Sequence, residues 1–372
     1  MRNLTRRHAL VLSGGFTLSA VAHQAFGQTA QADTLSLYVG TYDRDGKGGV
    51  YGLTYAAKTD QWSLGAHHSD IHNASFAAAS PRIKGTYVLN EQDEGQVTFY
   101  NAQWQALKTV TTHGQAPCYT ATDATGTCLG IANYSSGNVV FYRLDANGLP
   151  VSDATIRQNS GHGPNADRQS GPHAHWVGFS PENDRIYSVD LGTDQVLTYT
   201  FDSETGMVGK ASVAYAVAPG SGPRHMIFHP DGKHAYLVTE LHSTVLTLKR
   251  EPDGTLTELQ TLSCLPAGYT DPSFSAHIAL NADGSRLYVS NRGHNSIAVF
   301  KVADGQLSLM QIIPTEGNWP RFFILLEDVK RVIVAHERGD NLIVFGLNAD
   351  GSLGRLKQRL SVSAPVFIGR QV

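Results

Sequence analysis

The sequence has few cysteines and tryptophans, and each shortage argues against a class of protein. Three cysteines occur in 372 residues, with no C-x-x-C pair, so neither a disulfide framework nor a cysteine zinc site is indicated. Four tryptophans, none followed by Asp, disfavour WD40 repeats, which carry a WD dipeptide. No serine lies in a G-x-S-x-G elbow, which disfavours the covalent acyl-enzyme chemistry of that motif.

Charge and hydropathy argue against two kinds of partner. The chain has 29 basic and 32 acidic residues, and no Lys/Arg cluster beyond its N-terminus, so it lacks the basic surface of a nucleic-acid-binding protein. The apolar run at residues 9–22 is broken by glycine and serine and is too short to span a membrane. We therefore expect no nucleic acid and no stable membrane anchor, and a small polar or anionic ligand instead.

The first residues of the chain resemble a twin-arginine export signal. The pair Arg6-Arg7 precedes the apolar run, and small residues follow it, which is the order of such a signal. We predict a leader over residues 1–27, cut after Gly27 or Ala32, with export through the Tat machinery to the periplasm. The alternative is a disordered basic tail.

The remaining chain is built from a repeated unit. Six segments align almost without gaps, and one of them reads FHPDGKHAYLVTELHSTVLTLKR from Phe228. Their starts at 79, 122, 179, 228, 280 and 325 are separated by 43, 57, 49, 52 and 45 residues. This period predicts a propeller or solenoid. Within each unit, a turn, an alternating strand, a polar turn and a second alternating strand predict a β-meander.

Each end of the repeated region holds part of a seventh unit. Residues 35–42 and 50–55 form a unit without its first strand, and residues 363–369 form a spare strand. A propeller that takes the missing strand from the far terminus closes its ring. We therefore predict an all-β fold in one domain, a seven-bladed β-propeller over residues 34–372 that is closed by the C-terminal strand.

Residues at one register in different blades lie on a ring around the channel. The first ring, four residues before each start, comprises Ser75, Cys118, His175, Arg224, Ala276 and Arg321. The second ring, in the turn after the second strand, comprises Glu91, Tyr134, Leu191, Glu240, Arg292 and Glu337. In an antiparallel meander, the start of strand one and the end of strand two lie on the same side of the sheet. Both rings should therefore lie at one mouth of the channel.

Several ionisable side chains of these rings predict a ligand-binding or catalytic site. The set is His175, Arg224, Glu240, Arg292, Arg321 and Glu337. Convergent ionisable groups in a concave site are typical of such sites, and the alternative is a ring of ion pairs that only solvates the channel. We expect Arg224 and Arg292 to face each other across the mouth, outside the core, with one small anion between them.

Four histidines lie on or beside the first ring. His173 and His175 lie on one face of a strand, a spacing compatible with metal ligation. Because no third or fourth ligand follows at a recognisable spacing, we expect no metal and no cofactor. One of the two then takes part in the chemistry, and the other has a supporting role. His225 and His277 fall one residue beyond the first ring and are expected to point away from the channel, into the blade.

Several motifs carry a family resemblance over residues 35–369. They are PHAH at 172–175, GPRH at 222–225, SNRGHNSI at 290–297, NYSSGNV at 133–139 and PRFF at 320–323. With Glu240 sixteen residues after Arg224, the chain resembles the seven-bladed lactonase family. That family includes propeller-type 6-phosphogluconolactonases and the 3-carboxy-cis,cis-muconate lactonizing enzyme. The resemblance implies active-site roles for His175, Arg224, Glu240 and Arg292.

The resemblance implies a hydrolase that opens a sugar lactone, as a 6-phosphogluconolactonase does. Glu240 or His175 would move protons, the arginines would hold the oxyanion, and His173, Arg321 and Glu337 would bind substrate. Because phosphogluconolactone is a cytoplasmic intermediate, the export signal favours an unphosphorylated aldonolactone. The alternatives are a muconate cycloisomerase that uses the same groups in another order, and a non-catalytic propeller that binds a small ligand.

Overall fold

The computed structural model describes residues 34–371, which form 29 β-strands and one short 3-10 turn. The strands make seven antiparallel sheets, one for each predicted blade. Within this part of the chain, no helix has the length and apolar character needed to cross a membrane. The predicted leader at residues 1–27 lies outside the described residues.

Blades 1 to 3 contain the first eleven strands and the last strand of the chain. Blade 1 comprises β29 (Pro365–Arg370), β1 (Thr34–Thr41), β2 (Gly49–Ala56) and β3 (Gln61–His68). Blade 2 comprises β4 (Ala74–Ala79), β5 (Gly85–Asn90), β6 (Gln96–Asn101) and β7 (Ala106–Thr111). Blade 3 comprises β8 (Pro117–Thr122), β9 (Cys128–Asn133), β10 (Asn138–Leu144) and β11 (Pro150–Gln158).

Blades 4 to 7 follow in chain order. Blade 4 has five strands, β12 (Ala174–Phe179), β13 (Arg185–Asp190), β14 (Gln195–Asp202), β15 (Met207–Val208) and β16 (Ser212–Ala216). Blade 5 comprises β17 (Pro223–Phe228), β18 (His234–Thr239), β19 (Thr244–Arg250) and β20 (Leu256–Ser263). Blade 6 comprises β21 (Phe274–Leu280), β22 (Arg286–Arg292), β23 (Ser296–Ala303) and β24 (Gln306–Pro314). Blade 7 comprises β25 (Pro320–Leu326), β26 (Arg331–His336), β27 (Asn341–Leu347) and β28 (Leu353–Ser361), with the 3-10 turn Glu327–Val329 between its first two strands.

The C-terminal strand closes the ring, as predicted. β29 pairs antiparallel with β1, and Gly40 lies opposite Phe367. Val366, Phe367 and Ile368 are all buried. Because a buried side chain of this kind contributes about 1.5–3 kcal/mol, the strand stabilises the blade as well as completing it.

Tyrosines tie neighbouring blades together. In four blades, the hydroxyl of a second-strand tyrosine donates to a glycine carbonyl in a turn of the next blade. The pairs are Tyr87 with Gly148, Tyr187 with Gly254, Tyr236 with Gly305, and Tyr288 with Gly351. At Gly305 the backbone has φ of 76°, and a Cβ there would lie 2.4 Å from the His234 ring. Glycine therefore permits both the turn and the close approach.

A β-bulge lies near the start of the first strand in most blades. In β17 the pairing passes from Pro223 to His225 and leaves Arg224 without a partner. The same step occurs at Cys118, His175 and Arg321. A bulge re-aims the side chains beside it, so strict alternation along the strand does not hold at the first ring.

The residue after each of the six first-ring positions, together with Phe367 of β29, belongs to an aromatic layer inside the channel. Its members are Phe76, Tyr119, Trp176, His225, His277, Phe322 and Phe367. The His225 ring lies 5.0 Å from that of Tyr119, two blades away, and its Nδ1 lies 3.3 Å from Nδ1 of His277. The prediction that these two histidines point into their blades was therefore wrong, because the bulge breaks the alternation on which it rested.

Candidate active site

The carboxylate of Glu240 is held by three arginines. Arg224 Nε lies 3.0 Å and Arg292 Nη2 lies 2.7 Å from Oε2, and Arg168 Nη2 lies 2.5 Å from Oε1. Burial alone would raise the pKa of Glu240, but the charges of Arg292 and Arg224 outweigh burial and hold this pKa well below its usual value. Glu240 is therefore ionised at neutral pH, with both oxygens engaged.

Arg224 lies behind Glu240 and belongs to the core. Its side chain is 2% exposed, and its Nη1 donates to the carbonyl of Ala276 at 2.6 Å and contacts His225 Nε2 at 3.0 Å. Burial, followed by the charge of Arg292, lowers the pKa of Arg224 to about 9. The expectation that Arg224 lies outside the core was wrong, because its guanidinium finds acceptors inside the blade.

Arg224 and Arg292 are as close as predicted, but in a different arrangement. They come from neighbouring blades 5 and 6 and donate to the same oxygen of Glu240. They therefore do not face each other across the mouth, and the small anion between them is a carboxylate of the chain itself. Only Arg292 of this pair also lines the open cavity.

His175 projects from the bulge of β12 into the site. It is 5% exposed, and its Nδ1 lies 3.6 Å from Sγ of Cys118. Burial and then the charge of Arg224 hold the pKa of His175 well below its usual value, so the ring is neutral at pH 7. His173 instead stacks on the ring of Tyr134 at 4.5 Å, with Nδ1 2.9 Å from the Tyr134 carbonyl, and supports the wall of the site.

A second group of polar side chains forms the other half of the site. The Tyr42 hydroxyl donates to the carboxylate of Glu91, 3.0 Å from each oxygen. The guanidinium of Arg321 lies 3.9 Å from Glu91 and 3.9 Å from Glu337. Burial raises the pKa of Glu91 by more than Arg321 lowers it. At 3.9 Å these ion pairs leave room for hydroxyl groups, which can donate to a carboxylate and accept from a guanidinium.

The two halves line a space made up of two adjoining cavities. An inner cavity of about 200 Å³ is lined by Glu91, Cys118, Tyr134, Arg168, His175, Glu240, Arg292 and Arg321. An outer cavity of about 390 Å³ is lined by Tyr42, Arg168, Glu240, Phe274, Arg292, Trp319, Arg321, Glu337 and Arg338. Four of these residues lie in both walls. Of the seven residues predicted for the site, five line this space, and Arg224 and His173 support it from behind.

The Trp319 ring lies close to two arginines that line the outer cavity. The guanidinium carbons of Arg292 and Arg338 lie 5.5 Å and 3.5 Å from the Trp319 ring centroid, within the range of cation–π contacts. Trp319 has a positive φ of 68°, which turns the chain at this point. These contacts hold two cationic groups in the wall of the outer cavity.

Among the residues of the site that the sequence prediction missed, three had a signal. Glu91 lies on the second ring, whose charged members were predicted for the site only in blades 5 to 7. Tyr42 follows β1 as Glu240 follows β18, so it is the second-ring member of blade 1, the incomplete unit that lies outside the six aligned segments. Arg168 lies in residues 159–173, between blades 3 and 4. The interval of 57 residues between the starts at 122 and 179 is the longest of the five, and it indicated an insertion there.

Among the described residues, one cluster has groups that could ligate a metal ion, and it lies at the other end of blade 5. It comprises His229, Asp231 and His234 in the turn between β17 and β18. Asp231 Oδ2 lies 2.6 Å from His234 Nδ1, and the backbone N–H of Asp231 donates to His229 Nδ1 at 3.2 Å. These contacts stabilise the turn, which is separate from the cavity.

Similarity to other proteins identifies the family. The lactonase family with a 7-bladed β-propeller matches residues 36–369. The chain is 32% identical over 348 residues to 6-phosphogluconolactonase of Bacillus subtilis, covering 89% of this chain and 97% of that protein. The periplasmic gluconolactonase of Pseudomonas aeruginosa has a TM-score of 0.82 at 29% identity, covering 91% and 99% of the two chains. A protein from Lactobacillus plantarum has a TM-score of 0.82 at 33% identity, covering 90% and 99%. This chain belongs to the seven-bladed β-propeller lactonase family.

Proposed function

We propose that this protein hydrolyses the lactone of a sugar acid. The observation that carries the proposal is a cavity in which two carboxyl groups, Glu91 and Glu240, have pKa values shifted in opposite directions beside arginines. Groups whose environments separate their pKa values are suited to divide the acid and base roles of a hydrolysis. The family membership and the relatives named above support the same reaction.

The chemistry assigns a role to each wall of the cavity. Ionised Glu240 accepts a proton from water, whose oxygen attacks the lactone carbonyl carbon. Arg292, which faces the cavity, stabilises the developing oxyanion with its fixed charge. The ring C–O bond then breaks, and Glu91, whose burial favours the protonated form, gives a proton to the leaving ring oxygen. Neutral His175, on the same wall, can pass protons between these groups and solvent.

The half of the site around Arg321 suits the hydroxyl groups of a sugar acid. Arg321 and Glu337 lie 3.9 Å apart, and the Tyr42 oxygen, whose proton goes to Glu91, can still accept a hydrogen bond, whereas Glu240 is fully engaged. A hydroxylated ring can therefore satisfy them without displacing a tight ion pair. The sugar hydroxyls would lie on this side, with the lactone carbonyl toward Arg292.

We further propose the periplasm as the compartment and an unphosphorylated sugar lactone, either neutral or carrying a carboxylate, as the substrate available there. The support is the twin-arginine pattern in residues 1–27, together with the periplasmic gluconolactonase among the relatives. No cofactor is assigned, since the roles above are filled by side chains. A divalent cation in the cavity would have to lie beside the guanidinium groups of Arg168, Arg292 and Arg321.

The experiment offers the purified protein three substrates in parallel: gluconolactone, 6-phosphogluconolactone and a carboxymuconate, each with and without a chelator. We expect acid release from a lactone above the spontaneous rate, unaffected by the chelator. Ring closure of the muconate without lactone hydrolysis would favour the cycloisomerase. Activity on none of the three would favour the ligand-binding propeller, and loss of activity with the chelator would contradict the metal-free reaction.

A further inference from the structure

Arg168 differs from the other two arginines on Glu240 because solvent reaches it. Its side chain is 33% exposed, compared with 2% for Arg224 and 7% for Arg292. It projects from residues 159–173, the segment that joins blades 3 and 4, and lines both the inner and the outer cavity. Of the three arginines on Glu240, Arg168 is therefore the one that a ligand entering the mouth reaches first.

The two buried arginines are held by the backbone of blade 6. Arg224 Nη1 donates to the Ala276 carbonyl at 2.6 Å, and Arg292 Nε donates to the Phe274 carbonyl at 3.1 Å. Neither carbonyl can move without the strand that carries it. These two guanidinium groups are therefore fixed partners of the carboxylate they share.

Arg168 bonds instead to side chains that face the cavity. Its Nη2 lies 2.5 Å from Glu240 Oε1 and 3.2 Å from the Tyr134 hydroxyl, and its guanidinium carbon lies 6.0 Å from the Phe274 ring centroid. A rotation of the arginine side chain can therefore exchange its anionic partner without any movement of a strand.

The backbone beneath Arg168 is anchored. Gln169 is fully buried, its Nε2 donates to the Leu191 carbonyl at 2.9 Å, and its backbone N–H donates to the Asn165 carbonyl at 2.7 Å. The Arg168 N–H donates to Asn165 Oδ1 at 3.2 Å. The segment thus presents one arginine side chain at a fixed point of the mouth.

We propose that Arg168 is an exchangeable counter-ion that couples binding of an anionic lactone to activation of Glu240. The inference rests on the proposed lactone hydrolysis. A carboxylate or phosphate group of the substrate takes the guanidinium of Arg168, whose planar fork suits either oxyanion group. Oε1 of Glu240 then loses its partner and faces the cavity as an acceptor.

The exchange itself makes and breaks no covalent bond, and hydrolysis follows it. One proton moves from water to Oε1 of Glu240 while the water oxygen bonds to the carbonyl carbon. The carbonyl electron pair moves to oxygen beside Arg292 and returns as the ring C–O bond breaks. The ring oxygen takes the proton of Glu91, and the proton on Glu240 replaces it by way of solvent. One water is consumed, and one hydroxy acid is formed.

This coupling predicts how the protein discriminates between substrates. A neutral lactone brings no replacement anion, so Arg168 stays on Glu240 and the base remains engaged. An anionic lactone should therefore have a higher kcat in addition to a lower KM. An arginine that served only to bind substrate would change KM alone, since equal stabilisation of bound substrate and transition state leaves kcat unchanged.

The test compares the protein with its Arg168→Met variant on a neutral lactone, gluconolactone, and on two anionic ones, 6-phosphogluconolactone and glucarolactone. In the variant, Oε1 of Glu240 has lost its partner with every lactone, so the ratio of anionic to neutral kcat should fall by roughly tenfold or more, the effect of one charge-assisted hydrogen bond. Loss of the positive charge also raises the pKa of Glu240, so the acid limb of kcat/KM for gluconolactone should move to higher pH. The phosphate and carboxylate substrates distinguish the two anion types.

Two comparison variants make the result specific. Arg168→Lys keeps the charge and should retain part of the kcat ratio. Arg338→Met removes a rim arginine that stacks on Trp319, and it should change KM for anionic lactones without moving the acid limb. An equal loss on all lactones in Arg168→Met, with an unmoved acid limb, would overturn the exchange. Absence of hydrolysis by the unaltered protein would instead overturn the proposed function itself.

Discussion

Glu91 and Glu240 line one cavity, yet their surroundings shift the two carboxyl pKa values in opposite directions. Burial raises the pKa of Glu91, whose nearest cation, Arg321, is 3.9 Å away. Burial acts on Glu240 too, but three arginines in direct contact reverse its effect. The difference between the two groups follows from the number and distance of their arginine partners.

The Tyr42 hydroxyl should tune the alkaline limb of activity. It donates to both oxygens of Glu91 and favours the ionised carboxylate, so Tyr42→Phe should raise the Glu91 pKa further. Because the proposed acid acts in its protonated form, the alkaline limb of kcat/KM should move to higher pH by about 0.7 unit, the equivalent of one hydrogen bond of about 1 kcal/mol. A pH–rate profile that stays in place, or moves to lower pH, would remove Glu91 from the acid role.

Deletion of the last strand should open the ring. Without residues 363–372, β1 loses its partner and the buried side chains of Val366, Phe367 and Ile368 are lost. We expect the melting temperature to fall by about 10 °C or more, the effect of several kcal/mol in a domain of this size. Deletion of Gln371 and Val372 alone is the control. A melting curve unchanged by the longer deletion would contradict closure by β29.

The histidine pair in the aromatic layer should make stability depend on pH. Burial and then the charge of Arg224 lower the pKa of His277 to about 3 in the folded protein, whereas the unfolded chain titrates near 6.5. The unfolded state therefore binds the proton first, and stability falls as pH drops from about 6.5 toward 3. At pH 5 this contribution is about 2 kcal/mol.

His277→Phe should reduce that dependence, since phenylalanine already occupies neighbouring positions of the layer. The fall in melting temperature between pH 7.5 and pH 5 should be smaller by about 3 °C in the variant. His67→Phe, which changes an exposed histidine that stacks on Tyr51, is the matched control. Equal slopes for the unaltered protein and His277→Phe would show that the buried ring does not resist protonation.

The repeat in the sequence was sufficient to predict the propeller, its closure and the two rings. It placed His175, Glu240 and Arg292 together because equal register in repeated blades means equal position around the axis. It could not place His225, since a β-bulge depends on pairing between strands and not on the residue pattern of one strand. The repeat could not predict Arg168 as a site residue, because Arg168 lies between the repeated units. There, register says nothing about position around the axis.

The burial of the Arg224 side chain also could not be predicted from the repeat. Register places its Cα on the ring, but the direction of a long side chain depends on which acceptors lie within reach. Here the Ala276 carbonyl and the Glu240 carboxylate draw the guanidinium behind the cavity wall. Charged residues on a ring can therefore either line a site or support it, and only the contacts distinguish these roles.

The central claim is that Glu240 carries proton transfer in lactone hydrolysis, and Glu240→Gln tests it most directly. The substitution keeps the shape of the side chain and removes the base, so kcat on the best lactone should fall by roughly 100-fold or more, with an unchanged fold by circular dichroism. The matched control is Glu182→Gln, which should leave kcat unchanged. Glu182 is an exposed carboxylate in the turn between β12 and β13, where it pairs with Arg250, away from the cavity. A Glu240→Gln protein that turns over lactone at nearly the rate of Glu182→Gln would contradict the account.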